Sequence, residues 1–280
     1  MRIEVSQASY RYELPGDEWA VRDVSLIIEQ GEKIVITGPA GSGKTTLIEM
    51  LDALILPTRG DILFDGASVR QLSKARRLTD IRRRIGLLFQ FPEHQFFQET
   101  AYDELAFAMR NFFGPDEERI AARAAEILEK FHMDVDRLRH MSPFHLSSGE
   151  KRKLALASAL MPGPEVLILD EPTAGMDALA RRELLRLAET LDGATVIIVT
   201  HNLEDFLPIA DRIIGLAAGE KVLDMHRPAD LQEIERMASC GVKPPLVLEV
   251  QAWMGREGVT LQRIHYEMEG LIAELEKALT

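Results

Sequence analysis

Gly38, Gly41 and Gly43 are interleaved with Pro39, Ala40 and Ser42 and followed at once by Lys44, Thr45 and Thr46. This is the spacing of a phosphate-binding loop, and it has the context such a loop needs, a β-branched run before it and a helical pattern after it. Glycines let successive backbone N–H groups turn inward around a polyphosphate, while the helix that follows directs its positive end at the same charge. Lys44 then reaches the outer phosphates and the Thr45 hydroxyl holds Mg2+. A second chemical element is "VLILDE", where four apolar residues deliver Asp170 and Glu171 to the carboxyl edge of a sheet. Asp170 is the expected magnesium partner, and Glu171 the expected general base for an attacking water. Between the two, Ser147, Ser148 and Gly149 stand directly before a basic amphipathic helix. Serine side chains and a helix N-terminus converge there into a second anion site, one more than a single triphosphate needs from one chain.

These residues must be carried by elements, and the sequence predicts them. Short runs rich in Val, Ile and Leu read as strands: "RIEV", "VSLII", "KIVIT", "DILF", "IGLLF", "VLIL", "TVIIV" and "RIIGLA". Several are apolar on both faces. Helical patterns lie between them at 45–56, 101–112, 117–131, 150–160 and 178–191, so the core is expected to be α/β, a largely parallel sheet covered on both faces. Residues 91–161 read as a nearly strand-free helical insertion. Beyond 228 the texture changes, and the Lys243, Pro244, Pro245 breaker precedes two further helices. There Leu261, Ile264, Met268, Leu271, Leu275 and Ala278 form a narrow seam, suited to packing on the chain's own domain or to a pairing surface.

Composition narrows the partners. The chain has 280 residues and a net charge of −12, which argues against binding nucleic acid or an anionic lipid surface. No run of 18 apolar residues and no leader or lipidation signal is present, so the chain is expected to be soluble and cytoplasmic. The single cysteine, Cys240, leaves no intrachain disulfide and no cysteine-cluster metal site. Seven basic residues between Arg70 and Arg84 read as a solvated face, and His132, His140 and His145 lack metal-ligand spacing.

In the order phosphate loop, Gln90, "LSSGE", "LILDE", "TAGMD" and His201, the chain resembles the nucleotide-binding subunit of ABC transporters over residues 1–228. The resemblance implies a P-loop nucleotide-binding domain with a helical subdomain at about 91–161, an antiparallel β subdomain, and a C-terminal helical extension at 229–280. It implies ATP and Mg2+ as cofactors, catalytic roles for Lys44, Gln90, Glu171 and His201, and metal contacts from Thr45, Gln90 and Asp170. Nucleotide contacts would come from Tyr12, the loop Gly38 to Thr46, the signature residues Ser147, Ser148 and Gly149, and Asp177. Tyr12 is read as the aromatic that stacks on adenine or as an ordinary strand residue. The usual L-S-G-G-Q signature here carries Ser148 and Glu150 in place of its first glycine and its glutamine. In this family the signature of one subunit covers the γ-phosphate held by another, so the working unit is a head-to-tail dimer.

The stretch "FQFPEHQFF", followed by "YDELAFAMRNF", is similar to a narrower group, the ATPase subunits of energy-coupling-factor importers of vitamins and transition-metal ions. That likeness implies a second ATPase subunit, identical or a paralogue, an integral membrane coupling subunit and a substrate-binding membrane subunit, all at the cytoplasmic face of the membrane. Phe91, His94, Phe96 and Phe97 are expected to face outward toward a membrane-subunit helix. Two alternatives stand beside this reading, the ATPase of another importer class and a soluble ABC ATPase acting on a macromolecule. The latter needs a long coiled coil that residues 91–146 cannot contain.

Overall fold

In the computed structural model, which describes residues 1–13, 18–191 and 193–279, the chain opens on an antiparallel pair of strands. Strands β1 (Ile3–Tyr10) and β2 (Val21–Ile28) pair antiparallel, and the chain continues through β3 (Lys33–Thr37), helix α1 (Lys44–Leu51), β4 (Arg59–Phe64) and β5 (Ala67–Ser68). The first sheet has the order β2-β1-β4-β5. On β2 the inward set Val21, Val24, Leu26 and Ile28 is buried while its neighbours are exposed, the alternation of a sheet with one wet face. The side chains of Pro92, Glu93, Leu179, Thr190, Ala278 and Leu279 lie outside the described set, and with them the expectation placed on Ala278.

After the short helices α2 (Val69–Lys74) and α3 (Thr79–Arg82), β6 (Ile85–Leu88) enters a second sheet. Helices α4 (Ala101–Phe113), α5 (Glu117–Lys130), α6 (Val135–His140) and α7 (Ser148–Leu160) follow, and no strand occurs among the described residues from 91 to 161. Then come β7 (Val166–Asp170), α8 (Ala178–Thr190), β8 (Thr195–Val199), β9 (Arg212–Ala217) and β10 (Glu220–His226). The order is β10-β9-β3-β8-β7-β6, parallel except for the β9–β10 hairpin. Strand β10 escapes the sequence reading because "KVLDMH" alternates on an edge and lacks a continuous apolar run.

The parallel strands are buried on both faces. Ile34, Ile36, Val166, Ile168, Ile197 and Val199 pack with α1 and the antiparallel sheet, whereas Val35, Leu167, Leu169, Val196 and Ile198 pack with the helices of the other side. Ile36, Val199 and Asp170 lie in one row, so the carboxyl ends of β3, β8 and β7 share a single edge. That edge carries the site.

Several expectations change here. Helix α1 ends at Leu51 and not at Leu56, because Asp52 caps it and Ala53 takes a left-handed backbone, φ 54°. The basic segment is a solvated face only in part: Lys74, Arg76, Arg77 and Arg83 are exposed, while the other three turn to partners. Arg70 bonds the Gly60 and Pro57 carbonyls, Arg82 the Ala53 carbonyl at 2.7 Å, and Arg84 pairs with Glu165 and Asp65. The seam at the C-terminus is helical only in its second half. Helices α9 (Leu231–Ser239), α10 (Leu246–Arg256) and α11 (Met268–Leu279) pack on the core at the helical side of the parallel sheet, where Leu271 is buried and Leu261, Ile264, Met268 and Leu275 lie against it. Residues 259–267 stay non-helical because buried Gln251 accepts from the His265 N–H at 2.8 Å and donates to the His265 and Val247 carbonyls.

Asp52 supplies a stability prediction. Burial pushes its carboxyl up to about 7, against the opposing charge of Arg82. The folded chain therefore holds a proton that the unfolded chain has lost between pH 4 and 7, so stability falls as pH rises through this window. Asp52→Asn is expected to stabilise the chain by about 2 to 4 kcal/mol at pH 8 and not at pH 4. Denaturant titrations of both proteins at the two pH values measure this, and an equal gain at both would remove ionisation as the cause.

Candidate ATPase site

The loop between β3 and α1 takes the shape that the glycines allow. Gly38, Gly41 and Gly43 have φ of 151°, 74° and 95°. A Cβ at Gly38 would stand 2.1 Å from the Leu216 carbonyl oxygen, and one at Gly43 would stand 2.3 Å from that of Ala20. Neither position admits a side chain. Helix α1 starts at Lys44 with no side-chain cap, which leaves its positive end to the loop. Ser42 Oγ is buried and has no hydrogen-bond partner, an orphaned donor in the cradle that a phosphate oxygen satisfies. Pro39, Ala40 and Gly41 form the exposed rim.

Lys44 Nζ donates to the Gly38 and Pro39 carbonyls at 2.8 and 2.9 Å. Burial lowers its ammonium, against the pull of Glu171 and Asp170. Asp170 ends β7 and is 6% exposed. Burial first, and then the like charge of Glu171, raise it to about 6, with Lys44 opposing. A carboxyl held uncomfortably beside a lysine, with the exposed Thr45 hydroxyl at the start of α1, is a donor set of hard oxygens that fits Mg2+. Thr46 is turned away: it is buried and its Oγ1 meets the Tyr12 hydroxyl at 3.1 Å. Tyr12 lies beyond the end of β1 and is exposed, which removes the strand-residue reading and leaves its ring beside α1.

Glu171 occupies a left-handed backbone, φ 45°, uncommon for a residue with a side chain. Its N–H donates to the Val199 carbonyl at 2.8 Å, tying it to β8. Its Oε1 meets the His201 backbone N–H at 3.0 Å and the ring Nδ1 at 2.8 Å, and its Oε2 accepts from the Thr200 hydroxyl at 3.1 Å. A carboxylate only accepts, so the pairing selects the His201 tautomer with its proton on Nδ1. His201 stays largely exposed while Glu171 is nearly enclosed. The Glu171 carboxylate is thus oriented by Thr200 and His201.

Gln90 follows β6, and its carbonyl accepts from Arg152 of α7 at 2.9 Å; the same guanidinium holds the Ala174 carbonyl. Arg152 thus staples the Gln90 loop to the turn that leads to Asp177, whose Oδ1 caps α8 through the Ala180 N–H at 2.9 Å. The signature differs from expectation. Ser147 and Glu150 close a capping box on α7, with Glu150 Oε2 accepting from the Ser147 N–H and hydroxyl at 2.9 and 2.7 Å. These bonds and Arg137 hold the Glu150 carboxyl down at about 2. Ser147, Ser148 and Gly149 are exposed, with the Glu150 carboxylate already at the head of the helix.

The aromatic loop also needs one correction. Phe91, His94 and Phe97 are exposed, but Phe96 is 7% exposed and belongs to the helical core. The cause is Glu104, buried on α4, whose Oε2 accepts from the Phe97 and Gln98 N–H groups at 3.0 Å each and turns Phe96 inward. Phe97 instead packs edge-on against exposed Phe107, with centroids 4.8 Å apart. Thr200, Asn202, Thr173, Asp205 and Arg152 were missed by the sequence reading. The first two flank His201, but nothing in the run "LEDF" marks Asp205.

The sheet order, the phosphate loop and the Glu171–His201 pair define an ATPase cassette. A match to the ABC transporter family model covers residues 21–174. The energy-coupling factor transporter ATP-binding protein EcfA2 of Clostridium perfringens (strain 13 / Type A) is 38% identical over 250 residues, 88% of this chain and 87% of the relative. Among solved structures, cbiO1 from Clostridium perfringens, part of the ABC transporter complex cbiONQ, aligns with a TM-score of 0.70 at 28% identity, covering 89% of this chain and 98% of that one. A dimeric ATP-binding cassette in a post-hydrolysis state, bound to ADP and Pi, aligns with a TM-score of 0.73 at 29% identity, covering 81% of this chain and 99% of that one. The chain belongs to the ABC transporter family and, within it, to the ATP-binding subunits of energy-coupling factor transporters, and it is an ATPase.

Proposed function

We propose that the chain hydrolyses MgATP at sites shared between two ATPase subunits and uses the closure to drive import of a vitamin or a transition-metal ion. The observation that carries the hydrolytic part is the 2.8 Å bond between Glu171 and His201 beside the phosphate loop. Loop amides, Lys44 and Ser42 hold the triphosphate, and Tyr12 offers its ring to the adenine. Mg2+, held by Thr45, Asp170 and Gln90, supplies charge neutralisation on the phosphates when bound. Glu171 orients a water and takes its proton as the water oxygen bonds to the γ-phosphorus; the bond to the β–γ bridging oxygen breaks, and ADP and phosphate leave. His201 holds the Glu171 carboxylate in place.

Ser147, Ser148 and Gly149 are exposed, which supports their use on a nucleotide held by a second subunit, with Asp177 beside it. The exposed aromatics beyond Gln90 suit a helix of an integral membrane coupling subunit, with a separate membrane subunit binding the solute. No described helix is long and apolar enough to cross a membrane, so these subunits would hold the chain at the cytoplasmic face. The test mixes copies carrying Lys44→Ala with copies carrying Ser147→Arg. Neither is expected to hydrolyse ATP efficiently alone. Isolated mixed dimers retain one intact composite site of two, and about half of the unmodified rate is expected. Mixed dimers as inactive as their parents would count against the shared site or show that its two copies are strictly coupled.

A further inference from the structure

Asp205 ends the 3-10 turn Leu203–Asp205 that follows β8, and its side chain is 10% exposed. A carboxylate so enclosed persists only where donors meet it, and three do. Oδ2 accepts from Thr173 Oγ1 at 3.1 Å and from Asn202 Nδ2 at 3.0 Å, while Oδ1 accepts from Arg181 Nη1 at 3.2 Å. Each donor belongs to a different functional segment. Thr173 lies two residues after Glu171, Asn202 is adjacent to His201, and Arg181 lies on α8, the helix that Asp177 caps.

The ring closes through Thr200. Its buried Oγ1 accepts from the Asn202 N–H at 3.0 Å and donates to Glu171 Oε2 at 3.1 Å. Strands β7 and β8 are already fixed by their register from Val166 to Asp170. What the register does not fix is the pair of loops beyond the sheet edge, and there Glu171 takes a left-handed backbone that its surroundings must hold. From this geometry we infer that Asp205 is a positioning residue for ATP hydrolysis. It locks the loop bearing Glu171 to the loop bearing His201 and ties both to α8, without touching nucleotide itself. The inference rests on the proposed role of Glu171 as base.

The test uses the full-length chain assembled in its ATPase dimer, with a fluorescent ATP analogue for affinity and phosphate release for kcat and KM. Asp205→Asn keeps an acceptor for Thr173 and Asn202 but sets an amide against Arg181; Asp205→Ala removes all three bonds. A loop displaced by about 1 Å costs on the order of 100-fold in rate. We expect kcat to fall about 10-fold for the asparagine variant and about 100-fold for the alanine variant, with KM and nucleotide affinity changed less than about twofold. Should the alanine variant not fold, the near-isosteric asparagine variant carries the test. A folded, dimeric asparagine or alanine variant at the unmodified kcat, beside an inactive Glu171→Gln control, would overturn the positioning role alone. Loss of nucleotide affinity together with kcat would mark a merely structural residue and overturn it equally. Full activity of Glu171→Gln would overturn the base assignment and the inference with it.

Discussion

Replacing Glu171 with glutamine is expected to leave ATP binding intact and to slow hydrolysis by a factor on the order of 10² to 10⁴, or about 3 to 5 kcal/mol of barrier. The reasoning is geometric. Glutamine keeps the shape of the side chain and one acceptor for the Thr200 hydroxyl or the His201 ring, both now bonded to Glu171. The loop, Lys44 and Asp170 are untouched, so the contacts that hold nucleotide persist. Only the capacity to take a proton from water is gone. The bound state should then accumulate as a closed dimer, because hydrolysis is what would release it. Calorimetric ATP affinity and single-turnover phosphate release separate the two effects. A variant hydrolysing at the unmodified rate would assign the proton transfer elsewhere.

The chemistry of this site was readable because it lies at loops whose residue types are forced. A glycine is the only residue that fits where a Cβ would reach 2.1 Å from a backbone oxygen, so the phosphate loop shows in one chain alone. The parallel strands showed for a related reason: burial on both faces leaves uninterrupted Val, Ile and Leu. What stayed hidden depends on tertiary partners. Asp205 is an ordinary acidic residue until folding brings Thr173 and Arg181 to it. Arg70 and Arg82 look solvated until backbone carbonyls at Pro57, Gly60 and Ala53 are seen to need donors. Residues 261–278 have a helical spacing throughout, yet Gln251 captures the backbone at His265 and delays the helix to Met268. The direction of Phe96 was likewise set from outside its own segment, by a glutamate one turn into the next helix.

That last correction fixes which residues test the coupling surface. Phe91, Phe97 and Phe107 are 52%, 60% and 39% exposed, and they rim the loop that carries Gln90 to the site. Three large aromatics facing water within one loop and the next helix serve no core, and buried aromatics tend to dominate binding energy, at roughly 2 kcal/mol or more each when truncated. Changing Phe91 and Phe97 together to alanine is therefore expected to weaken assembly with the membrane subunit by about 4 kcal/mol, near a thousandfold. Solute uptake should fall with it, while the isolated chain binds ATP as before, because the two rings pack on His94 and Phe107. Phe96→Ala is the internal contrast. It opens a cavity in the helical core to which Phe96 belongs and should cost about 3 kcal/mol of folding stability. The paired measurement is nucleotide affinity of the purified chain against uptake by the assembled transporter. Lost uptake with intact affinity in the Phe91 and Phe97 variant locates force transmission at this surface. Unchanged uptake would free these aromatics from any part in docking, and the Gln90 loop would then have to signal through Arg152 and α7 alone.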